Sequence, residues 1–150
     1  MSSPRKQVTI FTDGACSGNP GKGGWCAILQ YMGHEKVLYE GERETTNNRM
    51  ELPGVIKGLS ALKEPCDVTL YSDSSYVVNA VNQNWLADWQ RRGWKTASKS
   101  AVKNVDLWEQ LLALLSRHNV TFVWVKGHAD NDNNNRCDEY ARLAITMLDQ

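Results

Sequence analysis

Two strand-like runs end in aspartate, and they constrain this chain more than anything else in it. Gln7 to Asp13 reads QVTIFTD, with Val8, Ile10 and Phe11 set among threonines. Asp67 to Tyr71 is a second short apolar strand, and it runs into Ser-Asp-Ser-Ser with Asp73 just past its end. In sheets with parallel neighbours, functional groups collect in the crevice outside the carboxyl ends of the strands. If these two strands are adjacent and parallel, Asp13 and Asp73 share that crevice. Glu51 falls in the first turns of a predicted helix and Asp138 near the start of another, so four carboxylates can converge. Like charges at a few Å repel strongly in a low dielectric, and hard divalent cations are the usual remedy. Taken singly, each of these acids reads as a cap or a surface group, because most Asp and Glu side chains are exposed.

The rest of the chain fits a mixed α/β layer structure. Gly24–Tyr31 and Lys36–Gly41 read as strands joined by a turn at Gly33, and SGNPG at 17–21 reads as a turn. Thr45–Asn48 offers a cap to a helix whose apolar face is Met50, Leu52, Val55, Ile56, Leu59 and Leu62. Pro53 and Gly54 oppose that helix, which predicts a kinked or late start. Helices are also predicted over Ser75–Asn84, from Trp85 onward, and over Val105–Arg117. VTFVWV at 120–125 is apolar enough to predict a strand covered on both faces. Asn135–Leu148 closes the chain as a helix with Tyr140, Leu143, Ala144 and Met147 turned inward.

Composition excludes several classes. A chain of 150 residues with 41% hydrophobic and 23% charged residues is an ordinary globular protein. The N-terminus lacks the apolar core of a signal peptide, and the longest aliphatic run, Leu111–Leu115, is far too short to span a bilayer. A cytoplasmic protein with no membrane partner is expected. Cysteines at 16, 26, 66 and 137 include no close pair, which suits free thiols and neither a zinc ribbon nor a disulfide framework. The Asp130 region departs from a calcium loop, with Asn135 where glycine is needed and Ala141 where glutamate is needed. GNPGKGG lacks the spacing of a P-loop.

Six ordered segments then narrow the reading: TDGACSGNPGKGGW, TTNNRMEL, SDSSYV, WQRRGWKTA, VKNVDLW and VKGHADNDNNNRCDEYA. Together they resemble ribonuclease HI, the bacterial type 1 branch of the ribonuclease H family, over nearly the whole chain. The resemblance implies one ribonuclease H domain over 1–150, with a single five-stranded mixed sheet flanked by about five helices. It implies cleavage of the RNA strand of RNA–DNA hybrids by a two-metal mechanism, leaving 5′-phosphate and 3′-hydroxyl ends. Asp13, Glu51, Asp73 and Asp138 match the acids that bind two Mg²⁺ ions, with Mn²⁺ as a substitute, and His128 matches the catalytic histidine. Asn19, Thr46, Asn47, Asn48 and Arg49 match positions that meet the nucleic-acid backbone, and Asn134 matches a position near the scissile region. Ser75 stands where the family usually has glutamine, and the Pro53-Gly54 pair is a second departure. A monomer is expected.

The stretch WLADWQRRGWKTASK, residues 85–99, is the remaining anomaly. The chain has no net charge, yet residues 85–103 carry a local net charge of +4. Trp85 and Trp89 fall on one helical face, and at least one of the stretch's three tryptophans is expected to pack into the core. In the family this segment is a basic handle that holds the DNA strand, which assigns Trp85, Trp89, Arg91, Arg92 and Lys95 to substrate. Another metal-dependent nuclease of the same fold lacks the TTNNRMEL and RGWKT segments, and a non-catalytic hybrid-binding module is expected to have lost an acid.

Overall fold

Strand β1 (Lys6–Gly18) is the pivot of the structure, a computed structural model in which residues 5–126 and 132–149 are described. It pairs antiparallel with β2 (Gly21–Tyr31) and parallel with β4 (Cys66–Ser72). Strands β3 (His34–Thr45) and β5 (Asn119–Trp124) flank these, giving one five-stranded mixed sheet of order β3-β2-β1-β4-β5. Five helices complete the described chain: α1 (Asn47–Ser60), α2 (Ser75–Asn82), α3 (Trp85–Arg91), α4 (Val105–Arg117) and α5 (Asp132–Met147).

Successive residues of β1 point to opposite faces, and the core divides accordingly. Ile10 faces the larger cluster, where Leu52 and Leu59 of α1, Val77 of α2 and Trp108 and Leu111 of α4 are buried. Phe11 faces the smaller one, closed by Cys137 and Ala141 of α5 over Cys26 and Ile28. The four cysteines are free thiols, three of them buried. No helix of the described residues is long and apolar enough to cross a membrane.

Several local expectations are corrected. The first strand does not end at Asp13 but runs on to Gly18, and the predicted turn at 17–21 shrinks to Asn19 and Pro20, because β1 and β2 stay paired out to Gly18 and Gly21. Helix α1 does not start late: Thr46 caps it by accepting the Arg49 N–H, and it is helical from Asn47 through Pro53. Gly54 is there for close approach, since a Cβ at that position would lie 2.7 Å from the Cys26 carbonyl oxygen of β2. Strand β5 lies at the sheet edge, and only Phe122 of it is buried, so it is not covered on both faces. Helix α5 starts at Asp132 and turns Leu143 and Met147 to solvent. Its backbone lies so close to Gly24 of β2 that small side chains, Ala141 and Ala144, form the inward face instead.

His118, just after α4, is buried, and its Nδ1 accepts the Cys66 N–H at 3.1 Å. Burial, helped by the charge of Arg117, lowers its pKa from the usual histidine value. A depressed folded-state pKa gives stability that is complete above the unfolded value near 6.5 and fades as pH falls. The Tm advantage of wild type over His118→Gln should therefore narrow between pH 7.5 and pH 5 in thermal melts. A gap that stays constant across that range would show that His118 titrates alike in both states.

Candidate active site where β1 and β4 part

The last rung of the parallel β1–β4 ladder pairs Thr12 with Ser72. The next residue on each strand is an aspartate, Asp13 and Asp73, so the register alone sets the two acids side by side. Glu51 comes from α1. A Cβ on Gly14 would collide with the Met50 carbonyl, so the helix backbone rests directly on β1 and delivers Glu51 beside Asp13. One carboxylate oxygen from each of Asp13, Glu51 and Asp73 lies within 4.8 Å of the others. Asp138 approaches from α5 and pairs with Arg142 one turn further along.

Asp13 is only 5% exposed. Burial first, then the charges of Glu51, Asp73 and Asp138, push its pKa up to about 10. Burial and the charges of Asp73 and Asp138 likewise raise Glu51 to about 8. Glu51 Oε2 is buried without a hydrogen-bond partner among the described residues. An all-oxygen donor set with an orphaned buried oxygen fits a hard divalent cation, which would supply the missing partner and cancel the repulsion.

Six of the predicted substrate residues, Asn19, Thr46, Asn47, Asn48, Arg49 and Trp89, line a groove of about 920 Å³ with Tyr76, Thr96 and Asn104, residues not singled out from sequence, whereas Trp85, Arg91, Arg92, Lys95 and Asn134 lie outside its lining. Asn19 Oδ1 accepts the Asn47 N–H at 3.4 Å, tying the β1–β2 turn to the start of α1. Arg49 is not open: its guanidinium is held by Asp106 at 2.7 Å and by Asn104 at 3.3 Å. The tryptophans divide their roles. Trp89 packs edge-on against the fully buried Trp108 at 5.6 Å, whereas Trp85 is 39% exposed. Trp108 in turn meets Tyr76 at 5.3 Å and donates its indole N–H to the Tyr76 hydroxyl. Arg91, Arg92 and Lys95 are exposed, with Arg91 paired to Asp88. Ser75 is exposed at the start of α2, beside the capping Ser74.

Asn134 is buried, with its amide turned to main-chain carbonyls of the sheet. Trp124 is a site neighbour that the motifs do not mark: it is 53% exposed, and its indole N–H donates to the Asp73 carbonyl at 3.2 Å. Its position as the last residue of an apolar strand ending at the same sheet edge is the signal that could have found it. His128 lies outside the described residues.

The raised carboxylate pKa values have a stability consequence. Groups whose folded-state pKa lies above the unfolded value stabilise the fold at low pH and lose that contribution as pH rises through the folded pKa. Metal-free protein should lose Tm between about pH 5 and pH 9, and added Mg²⁺ should restore it. Asp13→Asn should raise the metal-free Tm at pH 8 by at least about 3 °C and abolish much of the Mg²⁺ effect. Melts in chelator across this range check it, and a lower Tm for Asp13→Asn would contradict the repulsion.

The sequence model of the RNase H family matches residues 5–146. The chain is 61% identical over 143 residues to Ribonuclease H of Caldicellulosiruptor saccharolyticus, covering 95% of this chain and 99% of that one. It is 62% identical over 141 residues to Ribonuclease H of Chlorobium luteolum, covering 94% and 97%. Among solved structures it matches LC9-RNase H1, a type 1 RNase H with the type 2 active-site motif, with a TM-score of 0.87 at 30% identity, over 98% of this chain and 75% of that one. It also shares the fold of LC11-RNase H1, solved in complex with RNA/DNA hybrid, with a TM-score of 0.72 at 22% identity, over 95% and 99%. Matched from its first strand to its last helix, with the same sheet behind its acids, the chain belongs to the ribonuclease H family.

Proposed function

We propose that this protein is an endoribonuclease that hydrolyses the RNA strand of RNA–DNA hybrids, leaving 5′-phosphate and 3′-hydroxyl ends, and that it acts as a single-domain cytoplasmic monomer. The observation that carries the reading is the trio Asp13, Glu51 and Asp73, whose carboxylate oxygens meet within 4.8 Å where the pairing of β1 with β4 ends. With Asp138 they form the proposed seat for two Mg²⁺ ions, with Mn²⁺ as a substitute. Bound cations supply acidification of the attacking water and charge neutralisation at the leaving 3′ oxygen. The protein's own task is to hold that seat. Buried Asp13 fixes its centre, while Glu51 and Asp73 bring ligands from two other elements. His128 is assigned to moving a proton at the leaving oxygen, a task for which an imidazole can both give and take a proton.

Substrate placement falls to the groove and the handle. Thr46, Asn47 and Asn48 are exposed at the N-terminus of α1, where amide groups suit phosphate and 2′-hydroxyl oxygens, and Asn19 faces them across the β1–β2 turn. Arg49, held by Asp106, serves by fixing Asn104 in the groove wall. Trp85 and Trp89 present ring surface to sugars, and Arg91, Arg92 and Lys95 meet phosphates of the DNA strand.

Labelled hybrid incubated with Mg²⁺, beside RNA–RNA and DNA–DNA duplexes, tests the proposal. Only the RNA of the hybrid should be cut, and chelator should stop the reaction. Asp73→Asn should abolish cleavage while hybrid binding persists or tightens. Substantial Mg²⁺-dependent activity in that variant would overturn the metal assignment.

The handle makes a separate prediction. Arg91→Ala, Arg92→Ala and Lys95→Ala combined should raise KM more than they lower kcat, because they remove binding common to ground and transition states. Every cation–phosphate pair removed should flatten the log–log salt dependence of binding by about 0.7 to 0.9, for one to roughly three pairs in all. A triple variant with wild-type KM and salt slope would show that the cations are only solvated.

A further inference from the structure

Asn134 stands one helical turn before Asp138 on α5 and is only 8% exposed. Its side-chain amide nitrogen donates to two main-chain carbonyls, Thr12 O at 3.3 Å and Tyr71 O at 3.4 Å. Thr12 immediately precedes Asp13, and Tyr71 stands two residues before Asp73. One small side chain thus joins the two strands that lead to Asp13 and Asp73, near the last rung of their pairing, to the helix that carries Asp138. We infer that Asn134 is a positioning residue, which sets the separation of β1, β4 and α5 and so the geometry of the carboxylate cluster. The inference rests on the metal-binding reading proposed above.

The chemistry of the group suits that task. A primary amide carries two N–H donors on one planar nitrogen, and two carbonyls on neighbouring strands accept them. A residue placed to touch substrate would hold its donors toward solvent, whereas here they are committed to the protein interior. The strut also works against a force. Carboxylate oxygens of Asp13 and Asp73 lie within 4.8 Å of each other, and like charges at that range repel, which tends to part the two strands that Asn134 joins. Cys137, the residue before Asp138, adds a weaker tie by donating its thiol to the Phe11 carbonyl at 3.4 Å. Partners that orient metal ligands without touching the metal typically matter by about 10- to 100-fold in affinity or activity.

Calorimetric titration of the metal-free full chain with Mg²⁺ alone, together with kcat and KM on an RNA–DNA hybrid, tests the inference. Asn134→Ala should weaken Mg²⁺ binding by about 10- to 100-fold and lower kcat, while KM for the hybrid changes less than about twofold. Asn134→Asp keeps the size but replaces the donors with a carboxylate facing two carbonyl oxygens, so its defect should be larger. Asn134→Ser keeps one donor and should fall between wild type and alanine, and it carries the test if the alanine variant does not fold. Leu111→Ala, on α4 in the other core cluster, should lower Tm without changing Mg²⁺ affinity, which separates positioning from general loosening. Wild-type Mg²⁺ affinity in Asn134→Ala, or a raised KM with unchanged kcat, would overturn the positioning role alone. A wild-type chain that neither binds Mg²⁺ nor cuts hybrid would remove the functional reading and this inference with it.

Discussion

Repulsion among crowded carboxylates is the constraint around which this structure is arranged. No charged trio gathers within 4.8 Å by its own preference, so contacts indifferent to charge must impose the arrangement. Three do so. Parallel pairing of β1 with β4 ends at Thr12 and Ser72, which commits the next residue on each strand to the same place. The absence of a side chain at Gly14 lets α1 lie on β1, and α5 is drawn in against Gly24 by its own small residues. Each contact belongs to the packing of a different element. The site is therefore strained electrostatically but secured mechanically, the combination expected where local preferences are overruled for function.

The same division of labour holds at the proposed handle. A chain with no net charge can attract a polyanion only through a local patch, and that patch must be held in place. The rings do the holding. Trp89, Trp108 and Tyr76 form a chain of edge contacts running from α3 into the core, so the exposed cations stand on a fixed base. Gly93 and Trp94 both have positive φ, and this bend ends α3 and sends the chain back, where Val102 N–H bonds to the Trp94 carbonyl.

Much of this is legible in the sequence because the signals are local. The apolar run into Asp73 marks the end of β4 and Thr46 announces the start of α1, whereas the run into Asp13 marks only where β1 parts from β4, since the strand itself goes on to Gly18. The acids become a site only through six segments in a fixed order, since the spacing of a lone aspartate says nothing about its neighbours in space. What stays hidden depends on which surfaces meet. Periodicity turns Leu143 and Met147 inward, but the close approach of α5 to β2 selects the alanine face instead. Hydrophobicity places β5 in the interior, yet strand order puts it at the edge. Pro53 and Gly54 look like helix faults because the need for a thin helix surface over Cys26 is a tertiary fact. Asn134 resembles a substrate-binding position by motif, and only the structure reveals the two carbonyls it joins.

The two outer strands of the sheet bear on how the protein behaves when crowded. An unpaired strand edge is a template on which another chain can grow. Here β3 carries Glu35, Lys36, Glu40, Glu42, Arg43 and Glu44 along its length, and β5 is only six residues long. One edge is guarded by charge and the other by brevity. Neither presents the long, flat, apolar border from which fibrils start, so this sheet is built to stay separate from its copies at concentrations where a bare-edged one would stack.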